Sequence, residues 1–533
     1  MPNPFPEELV NDDNQDLNPA IQLFGRRFFS DQTTIEFLVE LLLVVVSRKQ
    51  VDHREFDTPL PPYELLSKWP RRCKLEYAPK SRLNLKLFSF FGSSKLDTRH
   101  KSHRDHLKEL DDAIMSNMMV TGDRKENILK TLENLFLGFQ GAGSQRTWCA
   151  QSFVPICEGL IAGESIWRQS KARDVEEWEE ALYYFSHNQW LFLARGGEVL
   201  YLQLCNALRQ KPETVTAWAE ASGLKDSFTR DEMNPIWLHG QLDLALTDLM
   251  GACPKTISEL AEFIDSGAEA QTTERTDRQG NEPRYTSCGW CPEEGWQEGY
   301  LFAVEVLRLC RAEVDLMDRL ELLEVACSMQ VLRSLAGQAS RYTAKPSLSM
   351  AKGYRLAISD PGGHNLTVKQ ISRASVRAIE KMIYDAIRHP DIKRRVPKPD
   401  HLKLYREADR RYGHKLFITL AKRLGLIIPR RGGGMRFVLT ERLLRFLVMT
   451  LIPANRLTYD TFKLLAETHY GLAFDESALS RASAWVTGIR IDSFGGATDE
   501  WLQDMLEAAG ILRRLSDSCA LVENPAMSDR QGV

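Results

Sequence analysis

Residues 415–440 read KLFITLAKRLGLIIPRRGGGMRFVLT, and no other stretch says as much about the fold. In its first half, apolar residues recur every three or four positions from Leu416 to Leu424. This spacing predicts an amphipathic helix that ends at Gly425. The second half has two short β-prone runs, 426–428 and 435–439, separated by the loop PRRGGG. Glycines supply the positive φ angles of a tight turn, so we expect an arginine-tipped β-hairpin after the helix.

A basic helix followed by such a hairpin is typical of a winged helix, a helix-turn-helix variant whose hairpin grips the DNA backbone. In that arrangement the helix enters the major groove, where Arg and Lys reach guanine edges, while other basic groups hold phosphates. A winged helix can also act only as a packing module, and that alternative stays open at this point.

The residues predicted to bind DNA are basic and fall into three groups. The first group lies in a Pro-rich segment, residues 389–400. The second lies just before and along the amphipathic helix that ends at Gly425, and the third lies on the hairpin. The full set is Lys393, Arg394, Arg395, Arg410, Arg411, His414, Lys415, Lys422, Arg423, Arg430, Arg431 and Arg436.

The same order of helix, glycine, Ile/Leu pair, Arg-Arg, turn and β-run returns in residues 499–522. The first copy would begin with a helix at 368–387 or at 401–412, and the second with helices near 458–470 and 476–486. The second copy carries acidic side chains on the equivalent helix, namely Asp499, Glu500, Asp504 and Glu507. Phosphates repel such a helix, so we expect the first copy to bind DNA and the second to pack against protein.

Charge is unevenly distributed along the chain. Residues 371–447 contain 20 Lys and Arg against 7 Asp and Glu, a balance of +13, whereas the whole chain has a net charge of −3 and the remainder therefore −16. A basic region inside an acidic chain is expected where one part meets a polyanion. The alternative is a solvated basic face balanced by an acidic neighbouring domain.

The chain is too long, at 533 residues, for a single core. Helical periodicity dominates, so we predict a mostly α, multi-domain helical protein with a C-terminal tandem winged-helix (α+β) region. The predicted divisions are a flexible arm (1–20), a helical platform (21–267), a loop or linker (268–284), a helical region (285–338), a basic winged-helix domain (365–455), a second winged-helix domain (456–525) and a tail (526–533).

The sequence predicts a cytoplasmic protein. The longest apolar run, residues 35–46, includes Glu36 and Glu40 and is shorter than the roughly 20 apolar residues of a membrane span. The ten cysteines have no framework spacing, and the N-terminus has no signal peptide, so reduced thiols are expected.

Three motifs were weighed for chemistry. His100, His103 and His106 have a spacing that could support a metal-dependent hydrolase, although interleaved Arg and Lys disfavour a cation. Residues 288–291 form a CxxC without the second pair that a structural zinc site needs. Residues 138–144 are glycine-rich but lack the Gly-Lys-Ser/Thr of a triphosphate site. We therefore predict no metal, no cofactor and no catalysis in this chain, and the histidine hydrolase remains an alternative.

The run LAKRLGLIIPRRGGGMRFVLTERLLRFLVMTLIPANRLTYDTFKLLAETHYGL (residues 420–472) resembles winged-helix segments of proteins from bacterial multi-gene phage-defence and DNA-processing systems. The resemblance extends over about residues 400–525, and Druantia-type systems are one candidate. It implies a non-catalytic DNA-binding and scaffolding subunit that works beside a separately encoded helicase/ATPase or nuclease. Its partners would be DNA, expected to be duplex, and other subunits, with no membrane. A pure protein-interaction subunit is the alternative.

Overall fold

The computed structural model describes residues 3–6, 17–26, 28–69, 74–79, 84–85, 88, 101–136, 161, 166–167, 185–186, 196–266, 285–343, 353–363, 365–491, 493–496, 498–516 and 519–527. The chain is mostly helical, with 63% helix and 10% strand in several small sheets, and this confirms the mostly α prediction. No helix in these ranges has both the length and the apolar character needed to cross a membrane.

Helices account for most of the described chain. They are α1 (Pro19–Phe24), α2 (Thr34–Val46), α3 (Tyr63–Ser67), α4 (Lys101–Asn117), α5 (Arg124–Phe136), α6 (Gly196–Leu208), α7 (Pro212–Ala221), α8 (Pro235–Gly251), α9 (Lys255–Asp265), α10 (Trp296–Arg311), α11 (Leu316–Thr343), α12 (Leu366–Ile387), α13 (Pro390–Lys393), α14 (His401–Glu407), α15 (His414–Leu424), α16 (Glu441–Leu451), α17 (Tyr459–Tyr470), α18 (Glu476–Thr487) and α19 (Glu500–Ala508). A π-helical turn, Ala408–Tyr412, follows α14 directly.

The strands are short. They are β1 (Pro4–Phe5), β2 (Arg48–Val51), β3 (Arg54–Phe56), β4 (Glu76–Ala78), β5 (Ile166–Trp167), β6 (Phe185–Ser186), β7 (Thr286–Ser287), β8 (Cys291–Pro292), β9 (Leu356–Ser359), β10 (Ile427–Ile428), β11 (Arg436–Val438), β12 (Arg456–Thr458), β13 (Leu472–Ala473), β14 (Leu512–Ser516) and β15 (Cys519–Glu523).

The centre of the molecule is a layer of packed helices, in which α6 and α10 each contact α11 and one another. Gly299 lets α10 approach α6 closely, because a Cβ at this position would lie 2.4 Å from the Gln203 carbonyl oxygen. The apolar run of residues 35–46 forms α2, which is buried against α6 and α11. Leu42 and Val44 on α2 are almost completely enclosed, as expected for a buried helix.

One apolar core runs through both halves of the chain. Its buried members extend from Phe5 near the N-terminus to Ala526 near the C-terminus. A smaller cluster joins α4 and α5 to α9, and another packs α12 against α18. The helices after residue 365 therefore share their main core with the helices before it, which we call the platform helices.

Strand β9 connects the two C-terminal hairpin regions. It lies in the middle of a sheet of order β10-β11-β9-β13 and runs parallel to both neighbours. Ile358 pairs with Phe437 on one side, and Leu356 pairs with Leu472 on the other. The second hairpin, β14 and β15, belongs to a separate antiparallel sheet with β12.

Most elements predicted after residue 365 are confirmed. The helix expected before Gly425 is α15, and the expected hairpin strands are β10 and β11. The corresponding parts of the second copy are α19, β14 and β15. Both alternatives for the first helix exist, as α12 and as α14 with its π-helical turn. Three short strands, β9, β12 and β13, were not predicted.

Candidate nucleic-acid interface

The tip of the first hairpin, residues 429–434, presents two arginines to solvent. Arg430 and Arg431 are exposed, and within the described chain neither forms a hydrogen bond or an ion pair. Gly432 and Gly434 have φ angles of 92° and 79°, which L side chains rarely adopt, and they let the loop turn tightly. The tip therefore offers two guanidinium groups that no acid in the described part of the chain compensates.

Arg436, also predicted to bind DNA, is held by three hydrogen bonds within the chain. Its Nη1 donates to the Ser359 hydroxyl at 2.6 Å and to the Asp360 carbonyl at 2.9 Å, and its Nη2 donates to the Pro361 carbonyl at 2.9 Å. These bonds attach β11 to the turn after β9. Arg436 would have to give up some of them to reach a phosphate, and its DNA-binding role stays a prediction.

Helix α15, the predicted groove-reading helix, is enclosed on several sides. It packs against α2, α11 and α12. Most of its apolar residues are buried, namely Leu416, Phe417, Ile418, Leu420, Ala421 and Leu424. Lys415 and Arg423 are its exposed residues, and Lys422 is half-buried.

An N-terminal segment, residues 28–32, lies against the side of α15 that carries Arg423. Arg423 Nη1 donates to the Ser30 carbonyl at 3.3 Å and also to the Gln32 carbonyl. These two bonds hold the guanidinium against the backbone of the segment. The face that a recognition helix would turn towards DNA is therefore partly covered by the protein itself, and Arg423 serves as an anchor.

The same segment covers part of the π-helical turn. The Ser30 amide donates to the Arg411 carbonyl at 2.8 Å, and its hydroxyl donates to the Arg410 carbonyl at 3.3 Å. The Arg411 side chain bonds Glu407 at 3.3 Å and lies 5.6 Å over the Phe29 ring. Arg411 is thus largely occupied within the chain, whereas the Arg410 side chain is exposed.

His414, also predicted to bind DNA, is half-buried. Burial lowers its pKa from the ordinary value, with Lys415 and Arg388 acting in the same direction and Asp409 opposing them. These surroundings disfavour the charged imidazole. Its DNA-binding role stays a prediction.

Residues 393–395 remain available for contact with DNA phosphates. Lys393 ends the short helix α13, and all three basic side chains are exposed. Arg394 lies 3.8 Å from Asp391, a loose contact at the surface. These residues keep their predicted role as possible phosphate contacts.

Helix α12 carries a basic row that was not among the predicted site residues. We call Lys369, Arg373, Arg377 and Lys381 the α12 row. They lie four residues apart, and all are exposed except Lys369, which is half-buried. Lys381 is paired with Asp385 at 2.7 Å on the surface, and Arg373 and Arg377 have no ion pair within the described chain. The i, i+4 spacing in the sequence was the signal that could have identified it.

The α12 row adjoins the hairpin and α15. Arg373 lies beside Gly434, with its guanidinium nitrogens 3.8 Å from the position of a Cβ there. Glu380 of α12 is influenced by both Arg377 of the row and Lys422 of α15: burial raises its pKa, and these two cations oppose that increase. The row, the hairpin tip and Lys422 therefore belong to one basic surface.

Two of the three chemical motifs lie outside the residues that the structure describes. His100 lies outside the described residues, as do the side chains of His103 and His106 and residues 138–144. Cys291 of the CxxC is buried, and burial raises its pKa far above the ordinary value, so the thiol stays protonated. Within the described ranges, no cluster of three His, Cys, Asp or Glu could hold a metal ion.

A buried Ser-His-Glu arrangement could not be seen in the sequence. Ser227 Oγ lies 2.5 Å from His469 Nε2, and His469 Nδ1 lies 3.4 Å from Glu305 Oε1. Hydrolytic triads have this order of contacts, but their serine must be reached by the substrate. Here the three residues are at most 1% exposed, and Glu305 is already bound by Arg333. The arrangement joins α17 to the platform helices.

Comparison of the chain with protein-family models, with curated proteins and with solved structures finds no match.

Proposed function

We propose that this protein is a non-catalytic DNA-binding and scaffolding subunit of a prokaryotic DNA-processing or anti-phage complex, and that residues 365–455 act as a winged-helix domain. The observation that carries the proposal is the exposed pair Arg430 and Arg431 at the hairpin tip, uncompensated within the described chain. Residues 371–447, with their balance of +13, surround the pair with further positive charge. Such a surface attracts phosphates and releases counterions when they bind.

The scaffolding part of the proposal is supported by the shared core. Apolar residues from both ends of the chain pack in one cluster, so the hairpin is mounted on a large helical body. In this proposal, the helical body holds the hairpin and the bound DNA in place for a partner subunit that performs the catalysis. That this partner is a helicase/ATPase or a nuclease rests on the resemblance of residues 400–525.

A second candidate is a protein-interaction subunit without DNA contact. The coverage of α15 by residues 28–32 favours it, because a winged helix with an enclosed recognition helix is left mainly with packing surfaces. In that case the purified chain would show no salt-sensitive affinity for DNA and would co-purify with partner subunits.

The test is fluorescence anisotropy of a labelled duplex with the full chain and with R430E/R431E. We expect the double variant to bind about tenfold more weakly or worse, and to show a salt slope reduced by about 2, roughly one per lost phosphate contact. Arg436 is left intact because its bonds hold the hairpin in place.

The matched control is R513E/R514E, which makes the same charge change on the second hairpin. Both of its arginines already contact acids, Glu523 and Glu507, so little DNA affinity should be lost. Wild-type affinity in R430E/R431E, or no salt-dependent binding by the unmodified chain, would remove the proposal.

A further inference from the structure

We infer that duplex DNA lies along helix α12, held through its phosphates by the α12 row and the hairpin tip, and that the protein does not read base sequence through α15. This inference rests on the proposed function and changes where and how the DNA binds. It follows from the shape of the α12 row, from its continuity with the hairpin and from the coverage of α15.

The shape of the α12 row suits a linear polyanion. Four residues of an α-helix rise by about 6 Å and advance by roughly 40° beyond one turn, so the row from Lys369 to Lys381 extends over about 18 Å. The side of the helix next to the row is buried, with Val376, Ile379 and Ile383 in the core. The positive charges therefore form a ridge that turns by about 120° around a firmly packed helix, with Arg373 and Arg377 exposed near its middle.

The hairpin lies beside the row at Arg373, the second of its four residues. Arg373 lies next to Gly434 at the base of the loop, and the loop carries Arg430 and Arg431 beyond it. Arg436, on strand β11, attaches the hairpin to the turn after β9 through its hydrogen bonds to Ser359 and Asp360. We therefore expect a phosphate backbone that passes Arg373 on α12 to meet the adjacent hairpin as well.

Entry of α15 into a major groove is obstructed. Arg423, at the exposed end of the helix, is bonded to the carbonyl groups of Ser30 and Gln32. The amide of Ser30 is in turn bonded to Arg411 at the start of the helix region. Helix α15 could reach the base edges in a major groove only if this N-terminal segment were displaced and those hydrogen bonds were broken.

The consequence is binding by phosphate contacts alone. Base-edge contacts distinguish sequences, whereas contacts to phosphates carry no direct sequence information. The exposed cations of α12 and the hairpin tip can contact phosphates, whereas the helix that would read bases is partly covered by residues 28–32. Affinity should therefore depend steeply on salt and hardly at all on sequence.

The experiment compares the full chain with R373E/R377E on a panel of labelled duplexes of equal length and different base composition. We expect affinities within about threefold across the panel, far from the 10³-fold or larger ratios of specific binders. R373E/R377E should bind every duplex about tenfold more weakly, with a salt slope lower by about 2.

K108E/R124E is the control, because it makes the same charge change at exposed residues of α4 and α5, which pack in the smaller apolar cluster. It should bind as the unmodified chain does. Circular dichroism and thermal unfolding of both variants check that helix α12 remains folded.

The outcomes separate this inference from the proposed function. If the unmodified chain binds duplexes and R373E/R377E binds equally well, the inference is wrong while DNA binding stands. Recovery of a preferred motif with at least about a 10³-fold advantage would also overturn it, since α15 would then read bases. Failure of the unmodified chain to bind any duplex would remove both.

Discussion

The two C-terminal hairpin regions have the same local plan and different surroundings. In the first, α15 is followed by Gly425 and by a hairpin whose two tip arginines are exposed without partners in the described chain. In the second, α19 is followed by Gly510 and by a hairpin that carries Arg513 and Arg514. Arg514 bonds Glu507, and Arg513 lies 3.8 Å from Glu523. The second arginine pair therefore has acids beside it that partly offset its charge, and the first pair has none within the described chain.

The two regions are also attached to the platform differently. Helix α15 is held by apolar side chains such as Leu416 and Leu420, which are buried beside α2 and α11. Helix α17, which precedes the second hairpin, adds a buried polar contact through His469 and Glu305. Apolar packing tolerates a change of pH, whereas a buried ion pair depends on the charge of both partners.

The largest effect is expected at Glu305, a carboxylate of α10 that His469 of the second region contacts. Glu305 accepts two hydrogen bonds from Arg333, at 2.6 and 2.8 Å, and both side chains are almost fully buried. Glu305→Gln leaves Arg333 charged and unpaired in the core, so the free energy of unfolding should fall by about 3–5 kcal/mol. Urea unfolding followed by circular dichroism measures this loss.

Asp385→Asn is the control, since it breaks an ion pair of nearly equal length, 2.7 Å, on the surface of α12 and should cost less than about 1 kcal/mol. Burial alone would raise the pKa of Glu305, but Arg333 and His469 lower it to about 2. A lowered pKa stabilises the fold above the unfolded value near 4.3, and this contribution is lost as the pH falls towards 2. The stability difference between the unmodified chain and Glu305→Gln should therefore shrink from about pH 5 to pH 2; a constant difference would contradict this explanation.

A smaller effect should distinguish the two glycines that end the helices. Gly425 and Gly510 have φ angles of 80° and 70°, so an alanine at either position costs about 1–2 kcal/mol of backbone strain. A Cβ on Gly425 would also lie 2.9 Å from Thr440 Cγ2, whereas a Cβ on Gly510 meets nothing within 4 Å. Thermal unfolding should show Gly425→Ala to be the more destabilising by about 1 kcal/mol. Equal losses would mean that Thr440 moves aside freely.

The smallest effect concerns the second hairpin's affinity for DNA. E507Q/E523Q removes the acids beside Arg514 and Arg513 while keeping similar side-chain shapes. If neighbouring acids are what makes the hairpins different, duplex affinity at low salt should rise about threefold, and the salt slope should increase slightly. Anisotropy measures both quantities, with E476Q/E500Q as a control for the change in net charge. Equal gains in the two variants would show that total charge, rather than release of the arginines, is responsible.

The helices and hairpins after residue 365 could be predicted because their signals are local. Apolar residues every three or four positions, a glycine at the end and a glycine-rich turn predict α15 and its hairpin within one or two residues. Strand β9 was missed because its four residues carry no such signal. It is a strand only because β11 and β13 pair with it from distant parts of the chain.

The candidate site was predicted in part for the same reason. Exposure of Arg430 and Arg431 follows from their place on a glycine-rich turn. The hydrogen bonds of Arg423 and Arg436 could not be predicted from neighbouring residues, because their partners Ser30 and Ser359 are far away in the sequence. The α12 row was visible as a spacing, but its proximity to the hairpin is a tertiary contact.

By itself, the sequence determined the helical character of the chain, its basic segment and the boundaries of its C-terminal elements, since these depend on neighbouring residues. Only the tertiary structure decided which of the basic side chains are available. It placed an N-terminal segment over α15 and brought α12 beside the hairpin, and it gave the second hairpin acids for its arginines. The physical reason is that the availability of a charge depends on what surrounds it in space, and folding brings those surroundings from distant parts of the chain.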